Sequence, residues 1–180
     1  MKAFCERAIA YIKAATPIGG SAGAVPPGAA PVLREFCEGL VVSYVVDQDG
    51  QFVYVQERHL EAAGMQADTL HHIGLANLAA RADGQVRVQR HGPVCAVFFD
   101  GNFEASLMLL DDVWENGLAG LVQHGYTVTA PARDILAFCD ADSRDGATEL
   151  RQIVARVAGG DHLLTPNLYR REGKRWVVVR

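Results

Sequence analysis

No two of the four cysteines, Cys5, Cys37, Cys95 and Cys139, stand close enough to form a C-x-x-C pair. That spacing excludes a zinc ribbon and a thioredoxin-type redox motif. Nor does any stretch stay apolar for the ~18 residues that a membrane-crossing helix needs, so no membrane association is expected. The six histidines make no H-x-x-x-H or H-E-x-x-H, and His71 and His72 would project about 100° apart on a helix. A G-x-S-x-G elbow, a Walker A loop and a G-x-G-x-x-G turn are all missing. No metal and no cofactor is therefore expected. Basic charge is also short: the net charge of -4 speaks against nucleic acid, whose binding needs a cationic surface to displace counterions.

What is present is enough for one domain with a real core: 180 residues, 49% of them hydrophobic. Cys95 and Cys139 lie in the apolar runs VCAVFF and ILAFC, where a free thiol packs as a small hydrophobe, which suits a reducing cytoplasm. Near the start, Glu6, Arg7 and Lys13 interrupt any secretory-signal core. Charge is uneven. Between Asp100 and Glu149 ten acids face Arg133 and Arg144 alone, while Tyr169 to Arg180 carries five Lys or Arg against Glu172. Such runs read first as solvated faces.

Residues 3–15 place Phe4, Ala8, Tyr11 and Ala15 at helical spacing, and the expectation for 1–15 is an amphipathic N-terminal helix. The Gly, Ala, Pro and Ser of 16–31 read as a linker or loop. The domain proper is expected over 32–180. LVVSYVVDQDGQFVYVQ predicts a hairpin turning at Asp47 to Gly50. Two helices follow, the first ending at Gly64 and the second beginning near Asp68. Strands are expected at Val86–Arg90 and Val94–Phe99. A helix is expected from about Asn102 through Trp114, and a strand after it that Pro131 ends. Ile135–Cys139 reads as a returning strand, Thr148–Ala158 as a helix, and NLYRREGKRWVVVR as a closing hairpin. The fold class is α+β, with a mostly antiparallel sheet and inserted helices.

The stretch DGNFEASLMLLDDVWE puts Phe103, Leu107, Leu110 and Trp114 on one stripe, with most acids, Glu104 among them, toward water. Asp100 or Asn102 can cap its first N–H groups. The functional alternative gathers Asp100, Glu104 and Ser106 at a helix start, where carboxylates could share acid/base duty and the N–H groups could hold an anion. In PARD, directly after a strand, Arg133 could grip a carboxylate or phosphate with its planar fork, or simply pair with Asp134. Asn77 is polar on an apolar helix face and reads as a ligand contact or a buried amide holding a loop.

The first hairpin, ERHLEAAGM, the LANL of Leu75 to Leu78, DGNFEAS at Asp100 to Ser106, PARD and LYRREGK occur in an order that resembles the uncharacterised bacterial YtpQ-like family, from about Leu40 to Val178. The resemblance implies a cytoplasmic α+β domain and names no activity, substrate or cofactor. It points to Asn77, Asp100, Gly101, Ala105, Ser106, Pro131 and Asp134 as matching positions, while Arg133 departs from the pattern. The functional expectation is a non-enzymatic binding or regulatory module for a protein partner. The alternative is a small hydrolase or transferase with Asp100 as base or metal ligand, Ser106 as nucleophile or substrate contact, and Arg133 or Asp134 completing the pocket.

Overall fold

Among the described residues ten strands build two antiparallel sheets, each with a helix laid across it. The computed structural model describes residues 1–15, 26 and 28–180, so most of the linker expected over 16–31 lies outside the described residues. In the first sheet β3 (Leu40–Gln48) is central, with β1 (Ile9–Ala14) on one side. On its other side β2 (Arg34–Cys37) and β4 (Gln51–Tyr54) pair with successive parts of it. The β3–β4 hairpin turns at Asp49 and Gly50, both at positive φ, with Gly50 N donating to Asp47 Oδ1 at 3.0 Å.

The N-terminal helix is overturned as a single element. Only α1 (Lys2–Cys5) is helical, and β1 then enters the sheet with Ile9 to Ile12 all buried. A strand covered on both faces needs an apolar run without alternation, and that run carries apolar residues at helical positions by default. Residues 1–15 are therefore part of the domain rather than an appendage to it.

After α2 (Glu57–Ala63), the longer α3 (Ala67–Ala82) packs on β1 and β3. Gly74 lets it lie close, since a Cβ there would stand 3.0 Å from Tyr44 Cδ1 and 3.1 Å from Ala10 N. The second sheet runs β10-β9-β7-β8-β6-β5, formed by β5 (Arg87–His91), β6 (Val94–Phe98), β7 (Tyr126–Ala132), β8 (Ile135–Asp140), β9 (Leu168–Glu172) and β10 (Arg175–Val178). The helix α4 (Arg144–Val157), capped by Ser143 Oγ accepting from Gly146 N, crosses β6, β7 and β8. Pro131 does not end β7: the register shifts between Thr129 and Ala132, so the missing N–H falls at an irregularity of the ladder.

Between β6 and β7 the expected helix is broken. Ala105–Leu109 forms a 3-10 turn and Val113–Gly117 a π turn closed by Leu118 N on Val113 O at 2.8 Å. Two indoles insert at the break: Trp114 Nε1 donates to Leu107 O and Trp176 Nε1 to Met108 O, each at 2.9 Å, while Leu107 O also accepts from Leu110 N at 3.2 Å in the tighter turn. The expected stripe is nonetheless the core, with Phe103, Leu107 and Trp114 nearly inaccessible. Phe103 packs edge-on against Tyr11 and Phe52, and Trp114 against Trp176 and Tyr126, so this segment joins the two sheets.

Candidate functional site

The segments 100–106 and 131–134 meet: Ala105 N donates to Arg133 O at 3.1 Å, and Asn102 and Arg133 line one cleft. Within 100–106 the reactive groups are nevertheless spent inside the fold. Asp100 Oδ1 accepts from the N–H of Asn102 and of Phe103, both at 3.0 Å, while Oδ2 pairs with Arg81 Nε at 2.7 Å. Ser106 is buried, and its Oγ accepts from Ile12 N at 3.1 Å, tying the broken segment to β1. Glu104, expected toward water, is 4% exposed; its Oε1 takes the N–H of Phe99 and Gly101, and its Oε2 is buried without a described partner. Asn77 spends its amide on the carbonyls of Glu6 and Ala8, at 3.0 and 2.8 Å, which fixes the bend between α1 and β1.

Arg133 and Asp134 form the two-residue turn between paired Ala132 and Ile135. Asp134 is exposed, and no ion pair joins it to Arg133 among the described residues. Arg133 turns to a cleft of about 680 Å³ that also takes in Tyr11, Lys13, Phe52, Tyr54 and His162. Burial pushes the Tyr11 hydroxyl pKa up, against the pull of the Arg133 guanidinium, and burial lowers that of Lys13. Sequence reasoning missed Tyr11 and Lys13 because both sat in the expected helix. The backbone of His162 stands at φ 56°, with its carbonyl accepting from Arg133 N at 3.2 Å.

A second hollow, about 960 Å³, lies between α3, the start of β5 and the 109–121 segment. Leu75, Val86, Val88, Leu109, Val113 and Leu121 give it partly buried apolar walls, and the exposed Ala76 and Ala79 leave it open. Asp83, Asp111 and Asp112 stand on its rim. Asp111 is held by Arg171 at 2.7 Å and Lys174 at 3.4 Å, whereas Asp83 makes no ion pair among the described residues. At one end Arg90 donates to Leu121 O at 2.8 Å.

Among the described residues no three His, Cys, Asp or Glu side chains gather to hold a metal ion, and no helix is long and apolar enough to cross a membrane. Neither a family model, nor a curated protein, nor a solved structure matches the chain.

Proposed function

We propose that this protein is a non-enzymatic binding module that seats an amphipathic segment of a partner protein in the groove between α3 and the 109–121 segment. The observation that carries the reading is the groove itself: an apolar floor with open alanines and an acidic rim. Isolated surface apolar residues need no explanation, but a contiguous apolar hollow bordered by charge is the usual form of a helix-in-groove site. The matching partner places apolar residues at i, i+3, i+4 and i+7 and carries Lys or Arg on its flanks, facing Asp83 and Asp112. The engagement of Asp100 and Ser106 in backbone hydrogen bonds supports a non-enzymatic role.

The four free thiols, three of them buried, fit a reducing compartment, and on that ground we propose a cytoplasmic location. Membership of the YtpQ-like family is proposed on motif order alone.

The reading is tested by fluorescence anisotropy with a labelled, designed Leu/Lys helix and its Leu/Glu counterpart. The basic peptide binds and the acidic one does not. Ala79→Arg, on the exposed side of α3, weakens binding about tenfold or more by filling the groove with a like charge. Equal binding of both peptides, or no loss in Ala79→Arg, contradicts the proposal.

A further inference from the structure

The cleft beside the β7–β8 turn presents two cations that no described carboxylate answers. Arg133 has its Nε shut off from solvent without an acceptor, and neither it nor Lys13 forms an ion pair with a described residue. The acids at its margin, Asp134 and Asp161, are exposed, so water and salt screen them. A guanidinium whose charge no carboxylate neutralises is stabilised by an oxygen anion within reach of its terminal N–H groups.

The root of Arg133 is fixed from both sides, its N–H donating to His162 O and its carbonyl accepting from Ala105 N. The backbone that carries the guanidinium is thus fixed before any ligand arrives. Opposite in character to this polar end is an aromatic side. Tyr54 carries the Lys13 Nζ 4.4 Å from its ring centroid, and Phe52 is half-buried beside the same space. A cavity of about 680 Å³ with a few convergent polar groups and aromatic walls has the form of a small-molecule site.

We propose that this cleft binds a small organic anion, its carboxylate or phosphoryl oxygens held by Arg133 and Lys13 and its flat apolar body against Tyr54 and Phe52. Arg133 supplies a planar fork that matches two oxygens at once, and Lys13 adds a point charge. The site is separate from the apolar groove and stands or falls without it.

Isothermal titration calorimetry on the full chain decides the matter with four probes: phenyl phosphate, benzoate, inorganic phosphate and neutral benzyl alcohol. The two aromatic anions bind, more tightly than inorganic phosphate, and benzyl alcohol does not; the stronger of the two identifies the head group. Arg133→Gln and Lys13→Gln each weaken binding about tenfold or more. Arg87→Gln, on the exposed edge strand β5, and Ala79→Arg, in the groove, leave it unchanged. Should Arg133→Gln fail to fold, as judged by circular dichroism, Arg133→Lys and Lys13→Gln carry the comparison, because each keeps a side chain of similar length. Absence of heat with both aromatic anions, or affinity unaltered in the variants, overturns the site. Benzyl alcohol binding as well as benzoate overturns its anion selectivity, and inorganic phosphate binding as tightly as phenyl phosphate overturns its aromatic half.

Discussion

Ser106 shows how a residue type that suggests a nucleophile can be consumed by architecture. Its hydroxyl is the acceptor for the buried Ile12 N–H, which pairs outside the β1–β3 ladder. Ser106→Ala leaves that donor unanswered and is expected to lower stability by about 1–3 kcal/mol in urea unfolding. Asp100 behaves differently, because an amide can replace its capping oxygen. Asp100→Asn keeps the acceptor for Asn102 and Phe103 and gives up only the Arg81 pair, an exposed contact worth roughly 0–1 kcal/mol. Asp100→Ala loses both turn hydrogen bonds as well and costs about 1 kcal/mol more. An Asn variant as unstable as the Ala variant would contradict this account. The turn-closing role of Asp100 was legible from the Asp-Gly-Asn turn chemistry, but the helix it was expected to cap does not begin there. The burial of Glu104 was not, since nothing in its neighbours signals that Phe99 and Gly101 turn their N–H groups toward it.

Elements were legible where one local cause decides them. The β3–β4 and β9–β10 hairpins follow from turn residues between alternating strands, and α4 follows from its apolar period, although it starts at Arg144 behind the Ser143 cap rather than at the expected Thr148. They were illegible where partners distant in sequence decide. β1 is a strand because β3 lies beside it, and the helix expected from about Asn102 through Trp114 is broken where Trp176, distant in sequence, donates to the Met108 carbonyl. Helix-to-sheet distance is also a tertiary matter. A Cβ at Gly146 would stand 2.5 Å from Cys139 Cβ, so Gly146→Ala is expected to destabilise by about 1–3 kcal/mol although alanine favours helix. A thermal midpoint equal to wild type would contradict that close approach.

The end of β8 carries a pH-dependent joint. Burial pushes the Asp140 carboxyl pKa up, but N–H donors from Gln123, Asp142 and His124, with the His124 ring, outweigh it and hold the group well below the usual carboxylate range. Because the folded value is depressed, the stabilisation is complete above the unfolded value near ~3.9 and is lost as pH falls toward the folded one. The urea midpoint of wild type should therefore exceed that of Asp140→Asn at pH 7, with the gap closing below about pH 4. A gap that stays constant to pH 2 would sink this assignment.

For the whole molecule, the uneven charge seen in the sequence acquires a partial explanation. Arg171, its side chain 5% exposed, and Lys174 reach Asp111 and Glu115, so the basic tail neutralises part of the acidic middle. Asp83 and Asp112 remain on the groove rim, exposed. Composition indicated the two charge regions but not the hollow, which arises only when α3, β5 and the broken segment come together. A proton–nitrogen NMR titration with the Leu/Lys peptide tests directly whether this hollow receives a basic amphipathic helix. Saturable shifts are expected at the amides of Leu75, Ala79, Val88 and Leu121, abolished in Ala79→Arg. Shifts confined to the Arg133 cleft, or spread over the surface without saturation, would contradict such binding.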